Sequence, residues 1–458
     1  MFWDTVQFAA QHPNWYYFND FKYFLLPDYC DSGHPPAFGM YLAVAWKIFG
    51  RSLWVSHTAM LPFVALLVYE AVRVGEAIFH KEKRQACLLA LMVLSEAVLL
   101  TQCTLVSPDI WLMAFFLMAA NAVLRGKKTA LAWAVVFLAV VSTRAMMVAV
   151  CVYLFALVLH WPESKQGANR KIAFFLRELR PFLPGAMMGA AYLCCHYFAK
   201  GWIGYHKDSP WAAGFQLVEF RLVLRHVFIL SWRLADLGKV ATAAILAVLL
   251  CLFASKKLRF DNGQEKRMAL ALVALLLILF IFTGLSLTVY RDLLTHRYLL
   301  PITITMDIVV AMLLYASHWR RKNWVLAVMF ICQLSGHFWT YPQQISQGWE
   351  GSLGHLYFYG MRRDFMNYLG SQKIKKEDVA TCPGLIQSPF LLDLQTDTTS
   401  YKFFKTDTTR YVWYCNALNA MNKEAAYYFG NFDILKQEKK GNVEMVLFRR
   451  SDSLMTRR

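Results

Sequence analysis

The chain has 458 residues, of which 57% are hydrophobic and 16% aromatic, an apolar share well above that of an ordinary soluble domain. Its formal net charge is +18, but the basic residues sit in short clusters between apolar runs, which argues against a nucleic-acid groove and for a polytopic membrane protein obeying the positive-inside rule. The ten cysteines form no C-x-x-C pair and no Cys/His metal spacing, and most fall in apolar segments as small core residues.

Residues 1–36 lack a basic start and a long apolar centre, and carry Asp4, Asp20, Asp28 and Asp31 against Lys22 alone. They read as an aromatic-rich extracytoplasmic loop, not as a signal peptide. Pro35 and Pro36 pre-set a helical turn, so the apolar run from Ala37 is expected to start a short interfacial helix over 37–50, too short to span. Spans are expected at roughly 52–75, 86–104, 109–124, 130–143, 145–160, 181–199, 238–254, 268–289, 298–316 and 324–340. The segment 130–160 is read as two short helices joined at Ser142-Thr143-Arg144. Basic clusters around Lys83, Lys127, Lys171, Lys257 and Arg321 fall on alternate connections and are assigned to the cytoplasm. That leaves Met1 outside with no helix to carry it there, so a first spanning helix upstream of Met1 is expected.

The outer segment 200–237 mixes Phe220, Leu224, Phe228 and Leu230 with Arg221, Arg225 and Arg233, a pattern that suits a helix in the headgroup layer. After Tyr341-Pro342 the composition turns polar. A helix over 358–370 and short alternating runs at 401–404, 411–414 and 443–448 predict a small mixed α/β extracytoplasmic domain. Thr396-Asp397-Thr398-Thr399 recurs as Thr406-Asp407-Thr408-Thr409, read as two similar turns. A disulfide between Cys382 and Cys415 is left open. The expected organisation is an extracytoplasmic loop with interfacial helix (1–51), a multi-spanning domain (52–340) and a C-terminal α/β domain (341–458), in an all-α polytopic fold.

This topology gathers Asp4, Asp31, His34, Asp109, Arg144, Arg225, His296 and Arg297 on one membrane face, where charged groups are costly and tend to line cavities. Asp4, partly desolvated by Phe2-Trp3, could act as general base toward a hydroxyl, with a helix N-cap as the plainer reading. Asp109 in Ser107-Pro108-Asp109 has the same two readings. His34 is either a hydrogen-bonded loop histidine or a phosphate contact. Arg144 stands between two apolar helices and calls for an anionic partner, whereas the arginines around His296 could snorkel to the interface. Arginines converging from several loops suit neutralisation of a phosphate or diphosphate leaving group. No Gly-rich phosphate loop, zinc motif or Ser/His/Asp nucleophile stands out. A divalent ion held by Asp4 and Asp109 is rated below a metal-free mechanism without cofactors.

Gly33-His34-Pro35-Pro36 before an amphipathic helix, then Phe49-Gly50-Arg51-Ser52-Leu53, Ser107-Pro108-Asp109, Ser142-Thr143-Arg144 and His296-Arg297-Tyr298-Leu299-Leu300-Pro301 follow one another. In that order they resemble the GT-C glycosyltransferases of the protein O-mannosyltransferase and aminoarabinose-transferase type, over about residues 1–316. The resemblance implies an inverting sugar transfer from a polyprenyl-phosphate donor to a glycolipid, glycan or protein acceptor, on the extracytoplasmic face of the plasma (inner) membrane. It implies Asp4 as catalytic base and Asp109 as the second acidic residue. Arg144, Arg297, His34 and Arg225 are assigned to the donor phosphate, and Asp31 and His296 to the acceptor or the loop. The usual first helix is absent and the first-loop motif has a single Asp where relatives often show a pair, so Asp31 competes for the base role. The alternative from another class is a transporter or flippase of lipid-linked sugars. A non-catalytic scaffold presenting the C-terminal domain is the third reading.

Overall fold

The computed structural model describes residues 5–80, 82–161, 168–206, 212–260, 262–292, 294–317, 319–341, 349–404, 409–418 and 421–450. Helices dominate it. The N-terminal loop is itself partly helical: a π-turn over Gln7–Gln11 runs into the α-helix His12–Phe18. Pro35-Pro36 then lead into the helix Ala37–Phe49, over nearly the range expected of the short helix at 37–50. Trp46 buries one face of that helix and hydrogen-bonds through its Nε1–H to Ser56 Oγ at 2.9 Å.

Among the described residues four helices are long and apolar enough to cross a membrane: Leu53–Phe79, Thr143–His160, Gly263–Val289 and His296–Tyr315. Two bent pairs raise the number to six if each is one span, Lys83–Leu94 with Ala97–Thr104 (67°) and Phe220–Ala235 with Val240–Ala254 (103°). Ala37–Phe49, Pro108–Leu124 and Lys128–Val141 are apolar but shorter. Helices occupy all ten expected spans, yet only these four to six meet the length and composition of a crossing. Pro108–Leu124 and Leu300–Tyr315 are buried on nearly every side, as expected of helices that are apolar all round, and form the centre of the bundle.

After Tyr341 the chain builds a five-stranded sheet in the order β2-β1-β3-β5-β4, from β1 (Val379–Thr381), β2 (Lys402–Phe403), β3 (Tyr411–Cys415), β4 (Phe432–Lys440) and β5 (Val443–Arg450). β1 runs parallel to β2 and β3, while β5 is antiparallel to β3 and β4. The helix Leu356–Ser371 covers the sheet, with Phe365 stacked on Trp413 at 5.8 Å. The expected helix and all three alternating runs are therefore present. Cys382 and Cys415 are buried free thiols, and burial raises the Cys382 pKa to about 11. The first Thr-Asp-Thr-Thr copy is an irregular stretch; most of the second lies outside the described residues.

Candidate active site

Two serine caps set the geometry. Ser107 Oγ accepts the Asp109 N–H at 3.2 Å and Pro108 takes the first helical position, so Pro108–Leu124 starts with Asp109 in its first turn, where the helix dipole favours a carboxylate. Ser142 Oγ likewise accepts the Ala145 N–H at 3.1 Å and starts Thr143–His160. Arg144 is then held at the positive end of a dipole, a placement unfavourable by about 0.3–1 kcal/mol. Asp109 offsets it. Arg144 Nη2 donates to Asp109 Oδ1, and Arg297 Nη1 lies 3.3 Å from Oδ2.

Arg297 comes from the 3-10 turn His296–Leu299 that leads into Leu300–Tyr315. Its Nε also meets Glu350 Oε2 at 2.7 Å. Both guanidinium groups lie over the Tyr298 ring, at 4.2 Å for Arg144 and 4.9 Å for Arg297. Asp109 is 2% exposed, so its attraction to the arginines is weakly screened. Two carboxylates thus face two guanidinium groups. Arg144 Nη1 is nonetheless buried without a hydrogen-bond partner among the described residues, and such a donor suits an anionic oxygen.

No family model matches the chain, and no curated protein matches it in sequence. The crystal structure of ArnT from Cupriavidus metallidurans bound to undecaprenyl phosphate is similar over 98% of this chain and 94% of that one, at 12% identity and a TM-score of 0.54. The chain shares the fold of that structure. At that identity the likeness is one of architecture, and the arrangement of Asp109, Arg144 and Arg297 stands on its own geometry.

The other candidates are distributed around this centre. His34 Nδ1 is hydrogen-bonded to Thr143 Oγ1 at 3.0 Å, and the His34 carbonyl accepts from Tyr192 Oη at 2.8 Å. Burial, reinforced by the Arg144 cation, lowers the His34 pKa to about 4, so near pH 7 the ring offers a hydrogen bond and no charge. Asp31 is buried: Oδ1 accepts the Gly33 N–H at 2.8 Å and Oδ2 meets His196 Nε2 at 3.1 Å. Gly33, at φ +69°, lies so close to Gly204 that a Cβ would stand 2.2 Å from the Gly204 carbonyl oxygen. These contacts make the Asp31 loop a packed strap whose carboxylate is fully engaged. His296 donates from Nε2 to Asp236 Oδ2 at 2.7 Å and faces Arg233 Nη1 at 3.3 Å through Nδ1; it sits beside Arg297 in sequence but is held by a different carboxylate. Arg225 is exposed on Phe220–Ala235, and no hydrogen bond or ion pair among the described residues joins it to Asp109. Asp4 lies outside the described residues. Among the described residues no group of three or more His, Cys, Asp or Glu side chains could hold a metal ion.

Sequence reasoning missed Glu350, whose partner Arg297 is far away along the chain. It also missed a cavity of about 730 Å³ where the C-terminal domain meets the bundle, lined by Thr5, Val106, Tyr359, Arg362, Arg363 and Asp393 among others. Thr5 follows Asp4, and Val106 stands just before the Ser107 cap. No local motif marks this cavity, because its walls come from five separate stretches of chain.

Proposed function

We propose that the chain is an integral, multi-pass inner-membrane glycosyltransferase that moves a sugar from a polyprenyl-phosphate donor to a glycolipid, glycan or protein acceptor with inversion, on the extracytoplasmic face. The observation that supports it most is the pair Arg144 and Arg297 converging on Asp109, in a fold shared with a protein whose crystal structure holds undecaprenyl phosphate. The shorter apolar helices would complete the crossings.

In this reading the acceptor oxygen attacks the anomeric carbon from the face opposite the leaving group. The bond from that carbon to the phosphate oxygen breaks, and both electrons leave on the phosphate. The acceptor proton passes to Asp4, and the leaving phosphate gathers charge against Arg144 and Arg297. Asp109 keeps both guanidinium groups aimed and desolvated before the donor arrives, the preorganisation that makes such groups effective. His34 fixes Thr143 at the start of the Arg144 helix. The arginines supply the countercharge, so chelators should leave turnover in place.

The test is transfer of labelled sugar from a polyprenyl-phosphate donor by the purified protein. Arg144→Ala and Arg297→Ala should each cost about 100-fold or more in kcat/KM. Activity unchanged in Asp4→Asn and Asp109→Asn together would sink the assignment.

A transporter of the same lipid-linked sugar is the second reading, and one observation favours it. Both bent helix pairs break beside buried charges, Glu96 in one and Asp236 and Lys239 in the other, and transporters often build their sites at broken helices.

A further inference from the structure

We propose that Arg51 is a positioning residue that fixes the C-terminal wall of the cavity and so sets how tightly the acceptor is held. This rests on the glycosyltransferase reading above. Arg51 lies between the interfacial helix Ala37–Phe49 and the helix Leu53–Phe79. Its guanidinium reaches across the domain seam: Nη2 donates to the Phe390 carbonyl at 2.7 Å, and Nη1 to the Leu394 carbonyl at 2.9 Å and the Gln395 carbonyl at 3.4 Å. Nε donates to Asn14 Oδ1 at 2.6 Å. The guanidinium also lies 4.2 Å from the centre of the Phe390 ring, and Phe390 stacks on Phe18 at 5.9 Å.

Every one of these acceptors is a neutral oxygen. Four donors in a rigid fork are therefore spent on backbone and amide oxygens, a use that lysine, with its compact ammonium, cannot copy. The segment they hold is short and carries two cavity residues, Asp393 and Gln395. Asp393 is gripped from the other side by Arg362, whose Nη1 and Nη2 reach its two oxygens at 2.8 Å and 2.7 Å. Arg362 and Arg363 line the same cavity, and Arg362 Nε is buried without a hydrogen-bond partner among the described residues. Segment 389–395 is thus stretched between a membrane-domain arginine and a C-terminal-domain arginine. Releasing the Arg51 end would let Asp393 and Arg362 shift together while leaving Asp109, Arg144 and Arg297 in place.

Two measurements on the full chain test this. The first is backbone hydrogen exchange, read at Phe390, Asp393 and Gln395, whose N–H groups donate to Asp397, Pro389 and Pro389 carbonyls. The second is steady-state transfer with donor and acceptor varied separately. In Arg51→Ala and Arg51→Lys, exchange at these amides should rise about tenfold, while the helix Leu356–Ser371 stays protected. The acceptor KM should rise about tenfold, with kcat and donor KM within about twofold of wild type. Lys47→Ala, which removes from the helix Ala37–Phe49 an exposed ion pair with Asp20 and a cation–π contact with Tyr17, should change neither. Should Arg51→Ala fail to fold, Arg51→Lys carries the test alone. Unchanged exchange overturns the clamp, and so does a fall in kcat at unchanged acceptor KM. A wild-type chain that transfers no sugar overturns the function and with it the acceptor role, and exchange then still decides whether Arg51 holds the seam.

Discussion

Asp109 is a carboxylate shared by two arginines, and that sharing decides what its loss would do. Asp109→Asn keeps the volume but leaves two guanidinium groups facing a neutral amide near the start of a helix, so they repel one another in a weakly screened site. The expected result is a fall of about 100-fold or more in kcat/KM together with a loss of about 3 kcal/mol in stability, read by transfer assay and by denaturant unfolding. Two buried histidines of the N-terminal segment give a pH signature. His12 is 2% exposed, and burial lowers its pKa to about 4; His34 is lowered to about 4 as well. The unfolded chain takes up these protons near pH 6.5, whereas the folded chain resists down to about 4, so their contribution is complete above pH 6.5 and is lost as pH falls through that window. At pH 5 the deficit should be about 2 kcal/mol for His12, seen as a lower melting temperature than at pH 7.5. At this scale the sequence was informative where chemistry is local: Ser107-Pro108-Asp109 and Ser142-Thr143-Arg144 are helix starts that can be read from the cap residues. Glu350 was not legible, because nothing in Trp349-Glu350-Gly351 indicates that Arg297 waits across the fold.

The helices bend where polar groups interrupt them. Apolar residues from Ala86 to Thr104 read as one continuous span, yet the helix breaks at Ser95-Glu96 and turns by 67°. Glu96 Oε2 caps the second half through the Leu99 N–H at 2.6 Å, and its Oε1 meets Lys239 Nζ at 3.1 Å. Lys239 is 2% exposed and Glu96 fully buried, so the pair ties one broken helix to the other. Hydropathy averages over the break and cannot reveal it, since the break depends on a partner in another segment. Lys239→Met should cost about 3–5 kcal/mol by stranding a buried carboxylate, and adding Glu96→Gln should recover part of that loss in denaturant unfolding. Gly238, beside Lys239, has φ +84°, and a Cβ there would stand 1.9 Å from the Cys332 carbonyl oxygen. Gly238→Ala should therefore destabilise by about 3 kcal/mol or more in the same measurement, with the whole contact to Lys322–Ser335 displaced.

Across the whole molecule, a helical membrane body carries a small α/β domain, and the cavity lies at their seam. The division near Tyr341 was legible because composition changes there; the strand order was not, because β1 pairs with strands on either side of it only after the intervening chain has folded back. The resemblance of ordered short motifs pointed to the fold, whereas the seam contacts of Arg51 join residues hundreds of positions apart. The two functional readings differ in the fate of the lipid carrier, which makes one measurement decisive. Proteoliposomes containing the protein, a polyprenyl-phosphate sugar labelled in both lipid and sugar, and a set of hydroxyl acceptors should release one polyprenyl phosphate for each sugar that reaches an acceptor. That stoichiometry should collapse in Arg144→Ala. Sugar that crosses the bilayer still joined to its lipid, with no polyprenyl phosphate released, would contradict the glycosyltransferase reading.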